Sequence, residues 1–417
     1  MWFDETLDAR AQPLVEALLV LLANGQRWRH RRVETLTPVS AAFVRRRISI
    51  DFTVPDELHA GLQLSGTRAD GQWLVPLGWL ARRQLVNFDL RSAADEPVPL
   101  LLAQETARLT EDLLVLAAVR AGLDTDDAVA VGAATAIIER AADERPVEDV
   151  ESLERRARAL ALDEQFASLV GASARGFLLL AALPKVAGRQ VVKLQSDEHY
   201  RGARFALSPE LPGLNEAAST HVELDLPDVL RATSFELWDA LRTDPVERRR
   251  LPAGERRHME SRERPRLLLA PVAGAQRPYV RASLVVSAPE FLAPAFTLAL
   301  LAVAILVIGL ATGIAHDAAG DQGSAAATIL LAAFAALSGL VLRVEEHPLV
   351  RAILARPRAA LGATGLGVII AAVPIGLQLG HGWILACWWA ALVVCVLSAG
   401  VLWAAIIEHT EWGRSAV

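Results

Sequence analysis

The sequence predicts an α+β cytosolic head followed by a four-helix transmembrane region, and three observations lead to this fold class. Four long apolar stretches, without internal Asp, Glu, Lys or Arg, lie in the part of the chain after residue 288. Charged residues make up 22% of the chain, and most of them precede Pro289. The region before Pro289 alternates between β patterns of period two and apolar residues spaced three or four apart.

Residues 1–103 are predicted to combine one helix with an antiparallel β meander. Leucines at helical spacing predict an amphipathic helix over about Asp4–Asn24. The segment RRRISIDFTVP, from Arg45 to Pro55, alternates apolar and polar residues as a half-buried strand does. The basic run RWRHRR at Arg27–Arg32 also has period-two character, which predicts the polar face of an edge strand.

Residues 104–184 are predicted to be helical, and residues 185–288 to form a β-sandwich-like unit close to the membrane. Asp163 has the position of a helix cap, and Pro146 has that of a first helical residue. The apolar run FLLLAAL at Phe177–Leu183 is too short to span a membrane and predicts a buried helix end. The following segments are short strand patterns separated by Pro, Gly and Asp, which is typical of a sandwich or barrel.

Each of the four apolar stretches has the length of a membrane-spanning helix, which needs about 20 residues. They run over Phe291–Ile314, Ser324–Leu342, Ala359–Leu379 and Trp383–Ile407. The first and third connections contain no Arg or Lys, whereas the middle connection is rich in arginine. Its arginines are Arg343, Arg351, Arg356 and Arg358. By the positive-inside rule, residues 289–417 form a multi-pass region of the plasma membrane with the head and both termini in the cytoplasm.

The clearest basic segment lies at Arg248–Arg266, in the β unit next to the membrane. It predicts contact with anionic lipid headgroups, to which each well-placed basic residue contributes about 1 kcal/mol. The arginines expected at the membrane surface are Arg248, Arg249, Arg250, Arg256 and Arg257. A solvated loop between two strands is the alternative explanation. Nucleic-acid binding is not predicted, because no aromatic platform or recognised motif accompanies these arginines.

Two sets of acidic and histidine residues follow the apolar stretches that end at the cytoplasmic side. The sets are Glu345, Glu346 and His347 after the second stretch, and Glu408 and His409 after the fourth. Carboxylates and imidazoles at one membrane surface are candidate ligands of a divalent cation, but pairing with nearby arginines explains them as well.

Tryptophans mark the two ends of the fourth apolar stretch. Trp383 and Trp403 lie near its opposite ends, and indole rings favour the headgroup level of a bilayer. These two residues are therefore the predicted interface anchors.

Part of the head resembles a known group of proteins. The phrases RRRISIDFTVP, LVPLGWLARRQLVNFDLR and VPLLLAQE resemble uncharacterised actinobacterial membrane proteins, which pair a cytosolic N-terminal region with C-terminal spans. The resemblance covers Val44–Gln104. It implies a membrane-bound arrangement but no activity, cofactor or site residue.

The remaining patterns favour binding over catalysis. The sequence has no arrangement expected of a nucleophile with its base, a zinc site or a phosphate loop, so we expect neither a conventional enzyme nor a cofactor. No apolar stretch holds an ionisable residue at its centre, which argues against a secondary transporter. We expect a membrane-anchored binding or signalling module whose head engages an unknown protein or ligand. The alternative is a pore-forming effector gated by the head, with small residues in the spans supporting homo-oligomers.

Overall fold

The computed structural model has an α+β architecture with a β-rich head and three long apolar helices at its C-terminal end. It describes residues 11–40, 42–63, 72–81, 86–143, 149–160, 163–199, 206–207, 216–227, 230–240, 248–250, 266–269, 278–286, 289–312, 332, 339 and 347–414.

The elements are labelled here in chain order. The helices are α1 Gln12–Ala23, α2 Gly25–Trp28, α3 Ala103–Arg120, α4 Ala128–Ala142, α5 Val150–Ala159, α6 Glu164–Arg175, α7 Pro289–Ala311, α8 Pro348–Gly376 and α9 His381–Arg414. The strands are β1 Arg29–Pro38, β2 Phe43–Thr53, β3 Gln72–Ala81, β4 Val86–Ser92, β5 Gly176–Pro184, β6 Arg189–His199, β7 Ala206–Leu207, β8 Thr220–Leu224, β9 Leu230–Ala240, β10 Arg248–Arg250, β11 Arg266–Leu269 and β12 Pro278–Val286.

The largest described sheet has six strands in the order β11-β8-β1-β2-β6-β4. Strands β1 and β2 form an antiparallel hairpin, whereas β1 and β8 are parallel. The predicted meander is interrupted, because β6 inserts between β2 and β4. The sheet thus joins strands from residues 1–103 with strands from residues 185–288, so the predicted division of the head does not separate the sheets.

Two smaller sheets complete the β structure of the described residues. One has the order β10-β9-β12-β7, and the other pairs β3 with β5. The helices α1 and α3–α6 pack with β2–β6 around the first hydrophobic core, whose largest fully buried side chains include Trp28, Phe52 and Phe166.

The segment FLLLAAL is a strand, so the prediction of a buried helix end was wrong. It forms β5, in which Leu178, Leu180 and Leu183 are buried and which pairs with β3 along its length. A short apolar run suits a strand buried on both faces as well as it suits a buried helix, and periodicity alone does not separate the two. The partner strand β3 lies about a hundred residues earlier in the chain, so tertiary pairing decides the outcome.

In the middle of the head, helices begin at residues whose side chains cap them. The Asp163 carboxylate accepts a hydrogen bond from the Phe166 amide at 2.7 Å, which confirms this residue as the cap of α6. Asp127 and Asp149 cap α4 and α5 in the same way. Pro146 lies outside the described residues, and so does the part of the predicted first helix before Ala11.

Three of the four predicted spans fall on described helices. Phe291–Ala311, Pro348–Gly376 and His381–Ile407 are long and apolar enough to cross a membrane. The predicted span Ser324–Leu342 lies outside the described residues apart from two positions.

Helix α8 begins eleven residues before the span predicted from Ala359, because its first turns are amphipathic. Leu349, Val350, Ile353 and Leu354 are buried against the head, while Arg351 and Arg356 are exposed on the other side.

Tight contacts hold the three helices together. The Trp388 indole of α9 donates a hydrogen bond to the Ala371 carbonyl of α8 at 3.0 Å. Gly309 of α7 faces the same indole so closely that a Cβ atom there would overlap it. Such close approach at glycine is a common feature of helix packing within membranes.

Candidate functional site

The inner face of the six-stranded sheet carries a layer of buried charges. Glu34 on β1 is 1% exposed and contacts Arg32 at 3.0 Å and Arg46 of β2 at a shorter distance. The Arg46 Nε atom lies 3.0 Å from a carboxylate oxygen of Glu198 on β6. Two guanidinium groups and two carboxylates therefore balance within a nearly water-free layer, where unpaired charges would be very costly.

A second buried pair lies beside this layer. Arg29 is 2% exposed and contacts Glu216 at 2.7 Å, and it donates a hydrogen bond to the Pro76 carbonyl at 2.8 Å. Burial lowers the pKa of Arg29, and the Glu216 carboxylate opposes that shift. Gly78, with a φ of +139°, forms a bulge in β3, and a Cβ atom there would lie 2.8 Å from the Glu216 carboxylate. Glycine is required at this bulge both by its backbone angle and by the space that Glu216 occupies.

The buried layer is built for structure, since it leaves little room for a ligand. Arg32, Arg46 and Glu198 border a cavity of about 20 Å³ between the sheets. A cavity of that volume holds a single water molecule. The layer separates the first hydrophobic core from a second one, to which Leu36 of β1 and Val44 of β2 belong.

The basic run at Arg27–Arg32 was predicted to lie on an edge strand, and that prediction was wrong. Strand β1 lies between β8 and β2, and both Arg29 and Arg32 are buried. The carboxylate that pairs with Arg29, Glu216, comes from a distant segment, whereas Arg32 pairs with Glu34 on the same strand. The pairing of Arg29 with Glu216 cannot be read from the sequence alone.

The outer face of the same sheet carries an open groove with a volume of about 300 Å³. That volume is at the lower end of the range for small-molecule sites. Its polar lining comes from four neighbouring strands and the turn after β4, and consists of Thr35, Arg47, Ser49, Asp89, Arg91, Asp95, Lys193 and Gln195. The strand register sets Lys193 directly opposite Ser49 on one side and Arg91 on the other.

Ion pairs flank the groove at both ends of the sheet face. Arg45 holds Asp197 through two contacts of 2.7 and 2.9 Å, and Asn87 donates to the same carboxylate at 2.7 Å. These hydrogen bonds, chiefly that from Arg45, lower the pKa of Asp197. At the other end Arg189 contacts Asp51 and lowers the pKa of that carboxyl group. The rim of the groove is therefore held in fixed positions, while its centre is open.

Comparison with known proteins gives no family for this chain: no protein-family model matches it, and no curated protein is significantly similar to it. The functional argument therefore depends on the geometry of the sheet and of the helices.

The predicted cation ligands are not brought together by described side chains. His347 caps α8, where its Nδ1 atom accepts a hydrogen bond from the Leu349 amide at 3.3 Å. Burial lowers the pKa of His347. Glu345 and Glu346 lie outside the described residues, and the side chains of Glu408 and His409 are outside the description as well. Within the part of the chain that is described, no group of three or more His, Cys, Asp or Glu residues could hold a metal ion.

The basic segment Arg248–Arg266 falls largely outside the described residues. Only its two ends are described, as β10 with Arg248, Arg249 and Arg250, and as β11, which begins at Arg266. Arg266 contacts Glu223 at 3.1 Å. Arg256 and Arg257 lie in the segment that is not described, so membrane contact there stays a prediction.

The two predicted interface anchors are exposed near opposite ends of the predicted span Trp383–Ile407 within α9. Trp383 is 69% exposed and Trp403 is 51% exposed. The rise of an α-helix places them about 30 Å apart, which is the thickness of the hydrocarbon layer. Trp403 also packs against Phe296 of α7 with ring centroids 5.4 Å apart. The position of both indoles at membrane interfaces stays a prediction.

Proposed function

We propose that this protein is a membrane-anchored binding or signalling module whose cytosolic head engages a ligand or protein partner. One observation carries the proposal: the sheet with the open groove shares a hydrophobic core with the head-side ends of the membrane helices. This second core contains Leu36 and Val44 from the sheet, Leu292 from α7, Ile353 from α8 and Ala405 from α9.

A shared core couples the sheet to the helices mechanically. Packed interiors are dense and resist small independent displacements of their parts. Ile353 and Leu36 are each 1% exposed or less and belong to the same buried cluster. A ligand that moves the strands of the groove would therefore act on the helices, as a signalling module requires.

The direction of the helices supports four spans with both termini on one side. Contacts of Trp388 with Gly309 and with Ala371 make α9 antiparallel to both α7 and α8. Helices α7 and α8 therefore run in the same direction, each starting at the head. Parallel directions for these two helices agree with a second span at Ser324–Leu342. By the positive-inside rule, the arginines of the middle connection favour a head in the cytoplasm.

The second candidate function is a pore-forming effector, and the exposed surface of α9 is the observation that favours it. This surface is a continuous apolar face made of Trp389, Val393, Val396, Leu397 and Val401. Such a face suits contact with lipid, and it also suits contact with further copies of the chain in an assembly.

Two measurements on the full chain separate the candidates. For the module we expect that expression in a bacterial host leaves the membrane potential intact. We also expect that at least one fraction of pooled polar metabolites raises the melting temperature of the purified, detergent-solubilised chain. Depolarisation that disappears when residues 289–417 are replaced by an unrelated anchor would overturn the module in favour of the pore. The same replacement is the control for toxicity caused by the head.

Reporter fusions test the topology. Fusions after Asp317 and after His381 should report the exterior, and fusions after Arg356 and Val417 the interior. An exterior signal at Arg356 would reverse the orientation.

A further inference from the structure

We propose that the groove on the outer sheet face binds a small soluble oxyanion, a phosphate or carboxylate group, between Arg47 and Lys193. This inference deepens the proposed function, since it names the site and the ligand class of the head. It depends on the charged side chains of the groove and on which of them already contact a side chain of opposite charge.

Three arginines elsewhere on this sheet face form ion pairs with carboxylates. Arg45 contacts Asp197, Arg189 contacts Asp51 and Arg266 contacts Glu223. Within the groove Arg91 contacts Asp89 at 2.6 Å and Asp95 at 3.3 Å. Both carboxylates of the groove are thus engaged by one arginine.

Arg47 and Lys193 differ from these arginines. The Arg47 Nε atom donates to the neutral amide oxygen of Gln195 at 3.0 Å, and both Arg47 and Lys193 are exposed. Among the described residues, no carboxylate lies within 4.0 Å of the Arg47 guanidinium or the Lys193 ammonium. The two positive charges at the centre of the groove therefore have no carboxylate in contact, although the Arg47 charge also acts on Asp197 from a greater distance.

The strand register brings the two cations of the groove centre close together. Lys193 lies directly opposite Arg91 on the neighbouring strand, but Arg91 is already compensated by Asp89 and Asp95. Arg47 lies on the other neighbouring strand, diagonal to Lys193 on the same face and within reach of long side chains. An oxyanion between Arg47 and Lys193 would offset the repulsion between these two charges, because each contact becomes a charge-assisted hydrogen bond.

The groove supplies the geometry as well as the charge. The planar guanidinium of Arg47 can hold two oxygens of a phosphate or carboxylate, while Lys193 adds a point charge. The Ser49 hydroxyl is directly opposite Lys193 in the register, and the Thr35 hydroxyl is opposite Arg47. The groove volume of about 300 Å³ limits the ligand to a small molecule.

The chain offers an internal control for the test, because Lys185 and Lys193 are its only lysines. Both side chains are exposed, but only Lys193 lines the groove. The full chain in neutral detergent is acetylated briefly, and acetylation at each lysine is quantified by mass spectrometry. Inorganic phosphate and succinate are the probes, and sodium chloride at equal ionic strength is the reference.

We expect phosphate or succinate to slow acetylation of Lys193 and leave Lys185 unchanged. At nine-tenths occupancy the slowing is about tenfold. Arg47→Gln should raise the half-protecting concentration about tenfold or more, as for a lost charge-assisted hydrogen bond, while Arg47→Lys should recover part of it. Lys185→Gln, which lies outside the groove, should leave protection of Lys193 unchanged. Protection by only one probe would assign the oxyanion as phosphate or as carboxylate.

Two results would overturn the oxyanion site: equal protection of Lys185 and Lys193, or no more protection by either probe than by chloride. If the membrane potential is intact, either result contradicts the oxyanion site but not the proposed binding module. Depolarisation caused by the spans would instead contradict the proposed binding module, whatever the degree of acetylation at Lys193.

Discussion

Glu34 is the residue whose loss should disturb the head most, because it joins the buried charge layer. Its carboxylate is 1% exposed and contacts both Arg32 and Arg46, which are 6% and 2% exposed. Replacing it by Gln keeps the shape and one acceptor oxygen but takes a carboxylate away from two buried guanidinium groups. Breaking a buried ion pair in this way costs about 3–5 kcal/mol. Since a Gln oxygen still accepts one hydrogen bond, we expect a loss near the lower end, about 3 kcal/mol.

Thermal unfolding of the full chain in detergent, followed by tryptophan fluorescence, measures this loss. A destabilisation of about 3 kcal/mol lowers the melting temperature of a domain of this size by about 6–12 °C. Glu57→Gln is the matched control, because Glu57 is exposed on the first turn after β2. Equal melting temperatures for Glu34→Gln and Glu57→Gln would refute the claim that the buried charges stabilise the sheet as a connected layer.

Two further predictions concern the membrane helices and the response to acid. Gly309→Ala should lower the melting temperature of the helical region, measured by circular dichroism, since the added methyl group overlaps the Trp388 indole. Gly362→Ala is the control and should leave that melting temperature unchanged, because a Cβ atom at Gly362 has no neighbour within 4 Å. The hydrogen bonds from Arg45 lower the folded pKa of Asp197, so its stabilisation is present above the unfolded pKa of about 3.9 and is lost as pH falls through the folded value. Asp197→Asn should therefore destabilise the chain at pH 7 but much less in strong acid, and an equal loss at both pH values would contradict this assignment.

Local patterns in the sequence determined several elements. The alternation RRRISIDFTVP predicted β2, and the Asp163 cap predicted the start of α6, because both signals act over neighbouring residues. The long apolar runs predicted three helices that can span a membrane, since the length and composition of a span are local properties. The exposed Trp383 and Trp403, near both ends of the predicted fourth span, belong to the same local pattern.

Only the tertiary structure decided the rest, because it depends on partners far apart in the chain. Strand β5 has the composition of a buried helix end and became a strand by pairing with β3. Arginines such as Arg29 and Arg46 are expected on a solvated face. Both are buried here, because they pair with Glu216 and Glu198, which lie more than 150 residues away in the chain. The groove arises in the same way, since Arg47 and Lys193 meet only when β6 inserts beside β2. Register and long-range charge pairing fix these sites, and neither is encoded in a local period.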